Sequence, residues 1–166
     1  MGDLYGVKCS KCEYRFQVDV GHGFDGCGFF EVNSDTGKPY YYRHIRSKRI
    51  LDDVNRILET ENDVREDDLA YEQRREWQGH GSAQYLCEQC GRLFNRYYFR
   101  LVFDGGSYVP EYSCYKCQQQ LTPIELEHTK SGQMLISSDK SIEWKCPKCG
   151  HGELMEDPEA ECILYD

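Results

Sequence analysis

The pattern Cys-x-x-Cys occurs four times in this chain, at Cys9/Cys12, Cys87/Cys90, Cys114/Cys117 and Cys146/Cys149. No other feature restricts the fold so strongly. Two thiolates separated by two residues grip one tetrahedral ion from a tight turn whose backbone N–H groups face the sulfurs. A glycine after the second cysteine relieves such a turn by taking a positive φ. Gly91 and Gly150 stand there, while Glu13 and Gln118 fill the same place in the other two pairs. Eight thiolates make two closed four-sulfur sites. Such sites favour zinc, with rubredoxin-like iron as the alternative, and leave no open coordination position for catalysis.

Disulfide frameworks of secreted proteins show scattered spacings behind a signal peptide. Here the spacings are identical, and MGDLYGVKCSKC has no basic region followed by an apolar core. The expectation is two Zn2+ per chain in the reducing cytoplasm. No apolar run approaches the roughly 20 residues of a membrane span.

Two groupings of the pairs are open. Cys90 and Cys114 flank RLFNRYYFRLVF, the turn Asp104-Gly105-Gly106 and SYVPEY, which reads as a strand, a turn and a returning strand. This zinc-ribbon hairpin joins Cys87/Cys90 to Cys114/Cys117 and leaves Cys9/Cys12 with Cys146/Cys149, tying the two ends of the chain. The rival grouping is sequential, Cys9/Cys12 with Cys87/Cys90 and Cys114/Cys117 with Cys146/Cys149.

The fold expected is small α+β: zinc-ribbon or rubredoxin-like knuckles, short antiparallel strands and a helical insertion. Residues 1–46 hold strand, first knuckle, strand and a glycine-rich loop. Residues 47–79 hold a helix over SKRILDDVNRILET, capped by Ser47, with Ile50, Leu51, Val54, Ile57 and Leu58 on one face, then a more polar helix over REDDLAYEQRREWQG. Residues 80–152 hold the ribbon, a hairpin around Ser131-Gly132 and the last knuckle. Residues 153–166 form an acidic, partly apolar tail. Outside the cysteine pairs, no convincing repeat is visible.

The loop GHGFDG, from Gly21 to Gly26, matches the G-x-G-x-x-G spacing of dinucleotide-binding loops. That chemistry needs a helix to start inside the loop and hold the pyrophosphate at its N-terminus. Here the chain runs on into aromatic and turn residues and Gly37-Lys38-Pro39, so a nucleotide cofactor is not expected.

Met1 to Gly6, Cys9/Cys12, the glycine loop from Gly21 to Phe24, a helical middle and the knuckles from Cys87 onward together resemble a group of uncharacterised, multi-knuckle zinc-ribbon proteins of bacteria. The resemblance implies a metal-bound fold and little about function. Cys27 and the acidic tail have no place in it.

Three kinds of function compete. Catalysis has one candidate pair, Cys27 with His22, and an idle thiol is the commoner explanation. Cys162 likewise stands alone. His151, just after Cys149-Gly150, is placed to donate toward a sulfur. Single-stranded nucleic acid is the alternative reading. Tyr41, Arg43 and Arg46 mix aromatics with cations, and Arg92, Arg96 and Arg100 with Phe94 and Tyr98 fit one face of a strand. Against it stands a net charge of −9, with 29 acids and 20 bases, which disfavours polyanions. The leading expectation is an adaptor without catalytic activity, bound to another protein through its polar helix and tail.

Overall fold

A computed structural model describes residues 2–21, 28–67, 80–137, 143–160 and 163–165. The expectations for His22, Cys27, Cys162, most of the glycine loop and most of the second helix fall outside the described residues. In chain order the elements are β1 (Gly2–Cys9), β2 (Arg15–Gly21), α1 (Tyr41–His44), α2 (Lys48–Thr60), β3 (Arg65–Glu66), β4 (His80–Leu86), β5 (Leu93–Phe99), β6 (Leu101–Phe103), β7 (Gly106–Tyr108), β8 (Thr122–His128), β9 (Met134–Ser137), β10 (Leu154–Glu156) and β11 (Ile163–Tyr165). The fold is small α+β, with antiparallel sheets and few helices.

The chain divides into two compact units made of non-consecutive segments, so the division cuts across the four linear segments read from the sequence. The first takes residues 1–24, 82–96 and 111–166, the second residues 25–81 and 97–110.

The first unit is a curled sheet in the order β10-β1-β2-β4-β8-β9, with β11 on β1 and β5 on β4. Period-two alternation selects its inner face. Tyr5 and Val7 lie opposite Val18 and Phe16, and these residues join the core of Leu86, Leu93, Ile124, Met134 and Leu154, while Arg15 and Gln17 stay exposed. The sheet path returns on itself: Gln133 bridges Met155, and the Glu156 N–H donates to the Gly132 carbonyl at 3.1 Å. The hairpin read around Ser131-Gly132 is the β8–β9 hairpin, with Leu126 opposite Ile136 and His128 opposite Met134.

One motif builds this unit twice. A central strand runs into a Cys-x-x-Cys turn and a following strand, and a second Cys-x-x-Cys turn leads to a strand that pairs antiparallel with the central one. In the outer copy these are β1, β2 and β10. In the inner copy they are β4, β5 and β8, and the whole copy lies within the chain between β2 and β10. The copies share an aromatic two residues before the second turn, Tyr112 and Trp144, and a buried leucine soon after it, Leu121 and Leu154.

The single long hairpin expected between Cys90 and Cys114 does not form. The chain breaks at Arg100. Its carbonyl accepts from the Asp67 N–H at 2.9 Å, and its Nε lies 3.2 Å from the Asp67 carboxylate. These contacts turn β6–β7 into a separate sheet, β3-β6-β7, while β5 stays with β4. Arg65 and Glu66 accordingly form a strand rather than the start of a helix.

The second unit packs α2 over aromatics. Ser47 Oγ accepts from the Ile50 N–H at 3.5 Å, and Ile50, Val54 and Ile57 are buried, whereas Leu58 is 38% exposed. The Phe29 ring stacks on Tyr41 at 4.9 Å and meets Phe99 at 4.8 Å. Buried His80 contacts Glu66 through Nδ1.

Within the tail expected at residues 153–166, the described strands are part of the sheet. β10 and β11 both pair with β1, and between them Asp157 is buried against Lys8 and Arg15.

Candidate metal centres

Strand pairing decides which cysteines meet. Cys9 ends β1 and faces Leu154 of β10, and the turn before β10 carries Cys146 and Cys149. Cys87 follows Leu86 of β4, which faces Thr122 of β8, and the turn before β8 carries Cys114 and Cys117. The four sulfurs of Cys9, Cys12, Cys146 and Cys149 lie within 4.8 Å of one another, as do those of Cys87, Cys90, Cys114 and Cys117. This is the grouping that ties the ends of the chain, and the sequential grouping is not formed.

The spacing fits an ion rather than disulfides. A metal–sulfur bond of about 2.3 Å puts tetrahedral sulfurs about 3.8 Å apart, whereas a disulfide needs about 2.05 Å. Cys9 and Cys149 are 3.8 Å apart, Cys12 and Cys146 3.5 Å, and Cys90 and Cys114 3.8 Å. In each group two cysteines are buried and two half-buried.

The turns preorganise the sulfurs. The N–H groups of Cys9, Cys87 and Cys114 donate to the carbonyls of Tyr14, Arg92 and Gln119, each five residues on. The N–H groups of Lys11 and Lys148 point at the sulfurs of Cys9 and Cys146, each at 3.4 Å. Burial opposes ionisation of Cys114, yet the Cys117 and Lys116 N–H groups and the neighbouring thiols pull it down to about 7. Cys146 is likewise brought to about 7 against burial, by the Cys149 and Lys148 N–H groups and the thiols of Cys12 and Cys9. Each group thus holds one thiol whose ionised form the turn favours. At His151 the backbone carbonyl faces the sulfurs of Cys9 and Cys149.

The two groups are neighbours. Trp144 Nε1 donates to the Gly91 carbonyl at 3.0 Å, and a Cβ on Gly91 would lie 1.7 Å from the Lys145 carbonyl oxygen. The turn of one group therefore rests on the turn of the other, and only glycine fits at the contact. Burial raises the Tyr14 phenol above its usual value, and Cys146 and Cys90, one from each group, add to the rise.

The nucleic-acid candidates separate. Tyr41 is 3% exposed, and its hydroxyl, pushed up to about 12 chiefly by burial, meets Asn55. Its ring belongs to the aromatic core, because a planar ring beside Phe29 buries more surface there than in solvent. Arg43 and Arg46 are exposed in the same unit, where Arg100 pairs with Asp67. Arg96 lies in the other unit, and there a row of cations and rings forms. The Arg92 guanidinium is 5.7 Å from the Tyr115 ring centre, Phe94 meets Tyr115 edge-on at 5.9 Å, and Arg96 lies 4.9 Å from Phe94 and 5.8 Å from Tyr112. Sequence reasoning found Arg92, Phe94 and Arg96 through their alternation but missed Tyr112 and Tyr115, which stand two residues before and one after Cys114 and are brought across by the pairing of β4 with β8 and the gathering of the four sulfurs.

No protein-family model, curated protein or solved structure matches the chain.

Proposed function

We propose that this chain is a non-catalytic interaction module whose first unit is held by two structural zinc ions in zinc-ribbon-like four-cysteine centres. The observation that carries this reading is the pair of tetracysteine groups, with sulfurs within 4.8 Å of one another and closest separations near the tetrahedral edge. Four thiolates complete the coordination of zinc, so neither ion keeps a position for substrate or water.

The test is metal analysis of the purified protein, with two zinc per chain expected. Cys87→Ser and Cys146→Ser should each abolish a different metal. One metal in total, or a red iron chromophore, overturns the assignment.

A protein partner docked on the tail loses support from the pairing of β10 and β11 with β1. The row from Arg92 to Tyr112 is the observation that favours the second reading, single-stranded nucleic acid.

A further inference from the structure

We propose that the face formed by Arg92, Phe94, Arg96, Tyr112 and Tyr115 binds single-stranded nucleic acid, stacking unpaired bases on Tyr115 and setting phosphates against Arg92, Arg96 and Lys116. The inference rests on the second reading above and gives it a site.

Geometry supplies the first argument. Arg92, Phe94 and Arg96 recur every second residue and share one side of the β5 segment. Across from them stand the aromatics around the Cys114/Cys117 turn, so guanidinium groups and rings alternate along the row, with Phe94 buried beneath and Tyr115 outermost. Such alternation offers π-faces to bases and charge to the backbone of a strand, without reading its sequence.

Exposure supplies the second. Tyr115 is 67% exposed, the largest exposure among the large hydrophobic residues described. One of its edges is held by Phe94, and its hydroxyl accepts from Arg92 Nη1 at 3.1 Å. The ring is therefore fixed in place while remaining open to solvent, which lowers the entropic cost of stacking.

Charge supplies the third. On a chain with 29 acidic and 20 basic side chains, carboxylates outnumber cations and several cations are paired with one. Lys8, Arg15, Arg49, Arg56, Arg65, Arg100 and Lys148 are all so paired. Among the described residues no carboxylate pairs with Arg92, Arg96 or Lys116, and the two arginines lie over rings instead. Residues 87–96 and 111–121 carry these three cations against Glu88 and Glu111, and Glu88 is engaged by the Thr122 hydroxyl. A face left positive on an acidic molecule is complementary to phosphate. The net charge of −9 and the shortness of the row disfavour a duplex, whose stacked bases cannot reach Tyr115.

The experiment is fluorescence anisotropy of the full chain with labelled oligouridylate, oligothymidylate and a duplex of equal length, at several salt concentrations. Zinc content is measured first in the same sample, so failure of the metal assignment is seen separately. Both single strands should bind with Kd in the range of about 10⁻⁴–10⁻⁶ M near physiological salt, and the duplex more weakly. The slope of log K against log salt should be about −2, from three phosphates at about 0.7 each. Tyr115→Ala should weaken binding roughly tenfold, as loss of one stacked base does, while Tyr115→Phe retains it. Lys116→Gln, at an exposed site, should flatten the slope by about 0.7. Absence of single-strand binding, indifference to both Tyr115→Ala and Lys116→Gln, or equal binding of the duplex overturns the proposal. Equal displacement by polyglutamate also overturns it, since the face would then read charge alone, as a protein-docking surface does.

Discussion

Gln118 holds φ at +58°, directly after Cys117, where Gly91 and Gly150 hold +68° and +70° after the second cysteine of two other turns. A side chain in this region crowds the backbone and costs roughly 1–2 kcal/mol. Gln118→Gly removes that strain, and the greater freedom of unfolded glycine cancels about 0.4–1 kcal/mol of the gain. The expected net is a stabilisation of about 0.5 kcal/mol, read by denaturant titration of the metal-loaded protein. A clear loss of stability instead would mean that the Gln118 amide bond to the Tyr115 carbonyl, at 3.0 Å, matters more than the strain. Gly152 is the opposite case. Its φ is +100°, and a Cβ there would sit 2.6 Å from the Cys9 sulfur. Gly152→Ala should displace that sulfur and lower bound metal from two to one per chain, and retention of both metals would refute the argument.

Among the elements, β10 and β11 carry more than their composition announces. Both lie on β1, at Cys9–Leu154 and at Leu4–Ile163. Between them the Asp157 N–H donates to the Gly6 carbonyl at 2.9 Å, and Ala160 packs so closely that a Cβ on Gly6 would lie 2.2 Å from its own. Burial opposes ionisation of Asp157, whose side chain is 3% exposed, but Lys8, the Glu159 N–H and Arg15 together hold its pKa below the usual carboxylate range. A carboxyl depressed in the folded state stabilises above its unfolded pKa, and that contribution is lost as pH falls through the folded value. Removing residues 153–166 deletes none of the eight grouped cysteines. It should nevertheless strip the metal from the Cys9 group, because β1 loses both partners on one side. A truncated chain that keeps two metals and its sheet signal in circular dichroism would show that the segment is peripheral.

At the scale of the molecule, the two centres and the two units have different dependences. A structural zinc contributes on the order of 10 kcal/mol to folding, and both tetracysteine groups belong to the first unit. The second unit has its own core around Phe29, Ile50, Val54 and Phe99. Chelation should therefore abolish hydrogen-exchange protection in β1, β4, β8 and β10 before that of α2, and simultaneous loss would count against separate cores. Acid should act as chelators do. Cys12, Cys87, Cys90, Cys117 and Cys149 are raised above the ordinary thiol value and Cys114 and Cys146 lie near 7, so protons compete with the metal through the neutral range and more strongly as pH falls. Metal affinity should then fall more than tenfold per pH unit, measured by competition with a chromogenic chelator, whereas a shallow dependence would mean fewer than four thiolates per ion. Local rules were enough to read the turns, the Ser47 cap, the alternating strands and the cysteines that gather in fours, because a tight turn or a helix end depends on neighbours in the chain. The ribbon argument even reached the grouping of the sulfurs, though the hairpin it rested on forms only at its tip, as β6–β7. Arg100 interrupts it through Asp67, a contact between residues far apart in sequence. The nesting of one motif inside the other, the seat of Gly91 on Lys145 and the place of Tyr115 opposite Arg92 arise the same way. Each is fixed by which distant strands pair and by what little room remains between them, and no window along the chain contains that information.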